Sequence, residues 1–271
     1  MQFPAASFER PGGRLEGLKI TGLLTSRAKG WWWVPCPAFL ITHPGAGRVL
    51  VDTSLHPSIA AKPSENFGRL AAWYAKPRVE PGRDLAAQLR ERGADPRGIR
   101  LVVMTHLHMD HASGISAFPS STFVLSRAEW RAATTGSRPL ARGYRPKHYD
   151  NAFDYRVVDF DGPRIDSYSS FARSFDLFGD GSLRLVFTPG HTLGHMSVIA
   201  RLRDRDFVIA GDATYTIRQL ERGPGQPRPH DPHLWRRSLQ ELRLFHRQYP
   251  HAMIVPGHDP EHWRTLDPKY E

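Results

Sequence analysis

Sulfur is scarce in this chain, with one cysteine, Cys36, and five methionines among 271 residues. A single thiol cannot build a disulfide framework, and a zinc site of the four-cysteine kind is excluded. Any metal must therefore be held by histidine and carboxylate, and fourteen histidines are present. Long apolar runs are missing too. The longest apolar stretch, Trp31 to Ile41, is broken by Pro35 and Pro37 and falls far short of the roughly 20 residues a membrane helix needs. The opening residues, MQFPAASFERPGG, lack the basic start and apolar stretch of a secretory signal. The expectation is a soluble, cytoplasmic protein with no membrane partner. There is also no fixed-period repeat, no low-complexity segment and no block of like charges.

What is present fits a globular protein: 40% hydrophobic and 24% charged residues exclude wholesale disorder. The net charge is +10, which attracts anions. The excess is nearly all arginine, scattered in ones and twos, and no zinc-finger or RNA-recognition signature accompanies it. It reads as compositional bias that aids solubility, without a nucleic-acid partner.

Short β-rich runs predict strands at 18–24, 36–42, 48–52, 100–105, 122–126, 155–160, 183–188, 196–202, 206–211 and 252–255. Helices fit 82–92, 126–134 and 231–249, the last capped by Asp231 with Pro232 in its first turn and an apolar stripe of Leu234, Leu239, Leu242 and Phe245. Interleaved strands and helices make the class α/β or α+β. Residues 54–81 and 136–180 read as long loops, and such loops are commonly lids or binding loops.

The chemistry is concentrated in LVVMTHLHMDHASG, residues 101–114, where His106, His108, Asp110 and His111 follow an apolar strand. In extended backbone His106 and His108 point the same way, and Asp110 and His111 can face the same point after the chain turns. Burying these side chains together is costly unless a positive charge sits among them. Other apolar runs end similarly: LVFTPG leads into His191, FVIAG into Asp212, MIVPG into His258 and VLV into Asp52. Residues at strand ends on one sheet edge converge, which is where open α/β sheets place their sites. His106, His108, Asp110, His111, His191, Asp212 and His258 exceed the four ligands of one tetrahedral zinc. They suit two metals, one held by His106, His108 and His191, the other by Asp110, His111 and His258, with Asp212 bridging. Imidazole and carboxylate donors fit zinc, iron, cobalt or manganese.

The pattern H-x-H-x-D-H, then T-P-G-H-T-x-G-H at 188–195, G-D-A at 211–213 and G-H-D at 257–259 resembles the metallo-β-lactamase superfamily from about residue 18 to 262. The resemblance implies one domain over residues 1–271, a four-layer αββα sandwich of the α/β class, and two divalent ions at one edge of the sheets, with zinc the expected metal. Asp52, in VDTS, matches that family's D-T-G aspartate and would orient a ligand histidine. His195 reads as structural rather than as a ligand.

Tyr215, three residues after Asp212, together with GDATYT and TPGHTLGH, is similar to the N-acyl-homoserine lactone hydrolases, the quorum-quenching lactonases. That likeness implies a lactone substrate opened by a metal-bridging hydroxide, with Tyr215 and one metal holding the carbonyl oxygen and Asp110, both ligand and proton carrier, protonating the leaving alkoxide. It leaves room for a homodimer. The alternatives are another lactonase of the pyridoxolactone type, a thioester hydrolase of the glyoxalase II kind, or a nuclease on the same fold. The short tail after His258 counts against the thioesterase, and Tyr215 against the nuclease. Trp31, Trp32 and Trp33 either line a pocket for an apolar tail or pack under a loop. Phe153, Tyr155, Phe171, Phe175 and Phe178 either cover the site or join the core, and Cys36 reads as an inert buried residue.

Overall fold

The computed structural model describes residues 18–21, 31–151, 153–223 and 229–271, with backbone alone for 18–21, 31 and 32. The strands are β1 (Leu18–Thr21), β2 (Trp31–Val34), β3 (Phe39–His43), β4 (Gly47–Val51), β5 (Leu101–Val103), β6 (Thr122–Ser126), β7 (Asp154–Val158), β8 (Asp166–Tyr168), β9 (Phe171–Asp176), β10 (Leu183–Phe187), β11 (Met196–Arg201), β12 (Asp206–Gly211) and β13 (Met253–Pro256). The α-helices are α1 (Pro63–Phe67), α2 (Arg69–Ala75), α3 (Leu85–Glu91), α4 (Met109–Ala112), α5 (Arg127–Thr134), α6 (Pro146–Tyr149), α7 (Ile217–Arg222), α8 (Pro232–Gln248) and α9 (Pro260–Thr265).

One sheet has the order β3-β4-β5-β6-β7, the other β13-β12-β11-β10-β9-β8, and β1 and β2 form a separate antiparallel ribbon. From β4 to β7 the first sheet is parallel. The second is antiparallel except for the parallel pair β12 and β13.

The period of two along each strand sorts side chains between layers. Val49, Val51 and Val103 of the first sheet meet Leu185, Phe187, Val198 and Ile209 of the second in the central core. The intervening Leu50, Val102 and Phe123 face the opposite way, onto Leu85 and Leu89 of α3 and Ala132 and Ala133 of α5. Val186, Ile199 and Val208 likewise face Trp235, Leu239, Leu242 and Phe245 of α8. The layers therefore run helix, sheet, sheet, helix, the αββα sandwich expected. Strands covered on both faces are apolar at nearly every position, as in Met196–Ala200.

Some expected elements shift. The strand expected from residue 36 starts at Phe39, because Pro37 brings no N–H to a ladder. Trp235, not Leu234, begins the buried stripe of α8. Residues 54–81 and 136–180 are not bare loops: the first holds α1 and α2, the second α6, β8 and β9 beside the expected β7. Phe171 packs on α8, Phe175 and Phe178 against the central core, and Phe153 and Tyr155 against the α3–α5 layer, so these aromatics join cores. Cys36 is fully buried. Trp33 is half-buried; the side chains of Trp31 and Trp32, like residues 22–24 of the first expected strand, lie outside the described residues. No helix among the described residues is long and apolar enough to cross a membrane.

Candidate metal centre

β4, β5, β10, β12 and β13 all end at one edge of the sandwich, and each delivers a polar side chain there. After β5 the chain carries His106 and His108, then turns into α4, which bears Asp110 and His111. His191 follows β10, Asp212 follows β12 and His258 follows β13. These side chains form two groups, each able to hold one metal ion: His106, His108 and His191, and Asp110, His111, Asp212 and His258. His191 Nε2 lies 2.9 Å from His108 Nδ1. Asp110 Oδ2 lies 3.2 Å from His258 Nε2 and 3.6 Å from His111 Nε2.

Asp212 stands between the groups. Its Oδ2 is 3.1 Å from His191 Nε2 and 3.8 Å from His106 Nε2. Its Oδ1 is 3.4 Å from His111 Nε2 and 3.2 Å from His258 Nε2. One carboxylate thus turns an oxygen toward each group, the geometry of a bridging ligand.

The far nitrogen of every imidazole in the cluster has a neighbour that fixes the ring. Asp52 Oδ2 accepts from His111 Nδ1 at 2.8 Å. The same oxygen accepts from Thr105 Oγ1, whose own oxygen lies 3.1 Å from His106 Nδ1. The Pro35 carbonyl accepts from His258 Nδ1 at 2.8 Å, and the backbone of Arg142 bonds the His108 ring. His191 Nδ1 lies 3.4 Å from the Tyr215 hydroxyl. These partners leave Nε2 of His106, His111, His191 and His258 and Nδ1 of His108 facing the centre, as outer partners of metal ligands do.

Charge completes the picture. Burial alone would raise the Asp110 carboxyl, but His111 and His258 outweigh it and hold it at about 2. Asp212 is likewise held well below the carboxylate range, against burial, by His258, His191 and His111. Burial opposes a charged imidazole at His258, yet Asp212 and Asp110 drive it up to about 10, and His111 rises for the same reason. Burial wins at His106 and His191, which stay neutral. The cluster thus calls for positive charge that its own side chains supply only by taking up protons. His106 Nε2, fully buried, has no hydrogen-bond partner. An orphaned lone pair beside the Asp212 carboxylate is what a divalent cation satisfies, and a second group gathers around Asp110, so the residues fit a pair of metal ions.

Residues 31–258 match the family described as the metallo-beta-lactamase superfamily. The chain belongs to that superfamily. A Rhizobium radiobacter protein named N-acyl homoserine lactonase AttM is 33% identical over 236 residues, 86% of this chain and 85% of its own length. A B. thuringiensis AiiA variant crystallised with N-decanoyl-L-homoserine at its active site superposes with a TM-score of 0.79 at 20% identity, over 100% of this chain and 98% of that one. An N-acyl homoserine lactone hydrolase with N-hexanoyl-L-homoserine at its catalytic metal centre gives the same TM-score of 0.79 at 20% identity and the same coverage, 100% and 98%. At that identity the structural likeness shows the superfamily's fold.

His195 is not in the cluster. Its Nε2 accepts from the Asp212 N–H at 2.9 Å, its Nδ1 meets Thr188, and burial holds it down at about 3, a neutral strut under Asp212. Motif reading missed the Pro35 carbonyl, Thr105 and the Arg142–Tyr144 segment, which act through backbone or a lone hydroxyl. Gly143 (φ 87°) was a usable signal: a Cβ there would meet the His108 ring at 2.8 Å.

The superfamily's T-P-G-H glycine has a visible cause. Gly190 has φ 131°, and a Cβ on it would meet Trp235 N at 2.1 Å and Trp235 Cα at 2.3 Å. Ser238 of α8 bonds the Pro189 carbonyl at 2.7 Å, so the helix cannot retreat freely. Gly190→Ala should cost about 3–5 kcal/mol from overpacking and backbone strain. Thermal melting should fall by roughly 10 °C or more for a chain of this size; a melt within two degrees of the parent would show that the His191 loop adapts.

Proposed function

We propose that the protein is a dinuclear metal-dependent hydrolase that opens a lactone ring, with N-acyl-homoserine lactones as the substrate class and all 271 residues as one catalytic domain working in the cytoplasm. The observation that carries this reading is Tyr215, whose hydroxyl stands 3.4 Å from His191 Nδ1 at the rim of a cluster spanned by one carboxylate, Asp212. The AttM relative and the two homoserine-bound structures support it.

His106, His108 and His191 would hold one ion, and Asp110, His111 and His258 the other, with Asp212 shared; zinc is the metal that the family resemblance favours, and iron, cobalt or manganese also suit these donors. Two such ions, when bound, supply Lewis acidity at the carbonyl and lower the pKa of the attacking water. Asp52, Thr105 and the Pro35 carbonyl keep the ligand rings turned inward. Tyr215 contributes a neutral O–H: burial, then the charges of Asp212 and Asp110, push its phenol well above the ordinary value. That O–H can hydrogen-bond the carbonyl oxygen as charge develops there. Asp110 is the more open of the two carboxylates, with its side chain 12% exposed against 3% for Asp212. It can carry the proton released by the attacking water to the leaving alkoxide.

The deciding experiment couples metal analysis to a pH-stat comparison of lactones, simple esters, thioesters and nucleic acid. Two metal equivalents and proton release with N-acyl-homoserine lactones are expected. Preference for a thioester or a phosphodiester would overturn the substrate class while leaving the metal centre standing.

Tyr215→Phe should raise the barrier to lactone opening by roughly 1–3 kcal/mol, less than losing a sole oxyanion donor, because a metal shares the task. Metal content should stay at the parent value, since the phenol holds no ion. Unchanged kcat/KM would make Tyr215 a packing residue.

A further inference from the structure

Among the described residues, one carboxylate outside the metal cluster is wholly removed from solvent. Glu129, in the first turn of α5, is 0% exposed. Its N–H bonds Ser126 Oγ at 3.0 Å, so S-R-A-E reads in sequence as a helix capping box. The side chain is spent elsewhere. Its Oε1 accepts from the Leu107 N–H at 2.9 Å. Its Oε2 accepts from Thr192 Oγ1 at 2.6 Å and the Gly194 N–H at 3.2 Å. Leu107 sits between His106 and His108, and Thr192 follows His191. Contact with α5 is close: a Cβ on Gly194 would meet Glu129 N at 1.9 Å, and Ser126 Oγ donates to the Gly194 carbonyl at 2.6 Å.

We propose that Glu129 is a positioning residue: its carboxylate clasps the His106–His108 loop to the His191 loop and sets the spacing of that ligand trio. The inference rests on the metal-centre reading above. Burying a carboxylate is expensive, and three donors from two loops are what make the position tenable. The other ligand group is held separately, by Asp52 behind His111 and the Pro35 carbonyl behind His258. The clasp therefore acts on one metal position and not on both.

Glu129→Gln tests this. An amide accepts at one end and donates at the other, so Gln turns its own N–H group on either the Leu107 N–H or the Gly194 N–H, and the clasp loses at least one of its backbone bonds, with only a reversed Thr192 hydroxyl left to replace it. Metal-stripped protein is titrated with cobalt(II), followed by visible absorbance and chelator competition. The parent should take up two tight equivalents. The variant should retain one and bind the other roughly 10- to 100-fold more weakly, the range for partners behind metal ligands. Two equivalents bound as in the parent, or both weakened alike, would overturn the clasp and leave the metal centre intact. A parent binding fewer than two would overturn the centre and the clasp together. Should Glu129→Gln fail to fold, Thr192→Val removes one donor and should weaken the same single equivalent by a smaller factor; no selective loss would again overturn the proposal.

Discussion

Asp212→Asn should lower kcat/KM for lactone opening by about 10³-fold or more, a barrier increase of about 4 kcal/mol, and should cut bound metal below two equivalents. The reasoning is geometric. Oδ2 serves the His106, His108 and His191 group, and Oδ1 serves the group containing His111 and His258. An amide of the same size keeps one acceptor and turns an N–H group toward the other set of nitrogens. One metal position loses its anionic oxygen and gains a donor where a cation should sit. The backbone should be spared, because the Asp212 N–H still has His195 Nε2 to bond at 2.9 Å. Metal content and kinetics measured on the same preparation decide the matter. Two equivalents with parental kcat/KM would reject the shared carboxylate.

The histidine and aspartate cluster was legible in sequence because its members follow closely on apolar strands, and the strand ends share one sheet edge. His106, His108, Asp110 and His111 lie within one segment, and His191, Asp212 and His258 each come within a few residues of a strand end. The layer order came from the resemblance to the superfamily and not from the strands themselves: Leu185 and Val49 face the central core while Val186 and Leu50 face outward, yet all four are apolar and carry no mark of their side. Of the partners that aim these side chains, Asp52 was legible, in VDTS, and bonds His111; the others were not. The Pro35 carbonyl reaches His258 across 223 positions of chain, and a carbonyl has no residue-type signature. Glu129 was hidden for a different reason: its local pattern points to a helix cap, and only the tertiary approach of two loops diverts the carboxylate. β8 and β9 escaped notice because Asp166–Tyr168 is three residues long and Phe171–Asp176 buries its side chains irregularly.

Asp52 shows how local strain and the site are linked. Its φ is 58°, a left-handed conformation that non-glycine residues adopt at a cost of about 1 kcal/mol or more. The cost is offset by the Thr105 N–H and hydroxyl and by His111, all bonded at 2.8 Å. The usual companion of a strained residue is a constraint from several sides, and here those constraints orient the His111 ring and, through Thr105, the His106 ring.

Removing the metal ions with a chelator should abolish turnover and lower the melting temperature by roughly 10–20 °C without unfolding the chain. Each ion held at a free concentration about 100-fold over its dissociation constant adds about 2.7 kcal/mol to stability, and a chain of this size loses about 2–4 °C per kcal/mol. The sandwich should survive because its cores lie elsewhere: Val198 and Ile209 between the sheets, Leu89 and Phe123 on one outer face, Leu239 and Phe245 on the other. The emptied site also has a substitute for the lost charge. His111 and His258, driven upward by Asp110 and Asp212, take protons and stand as imidazolium ions among the carboxylates. Two protons replace part of four positive charges, so the stripped protein is weakened rather than undone. Far-ultraviolet circular dichroism before and after stripping, with melting followed on the same samples, checks both halves of the expectation. Restored zinc should recover activity and melting together, whereas an unchanged melt on stripping would mean that the cluster binds no ion tightly enough to stabilise the fold.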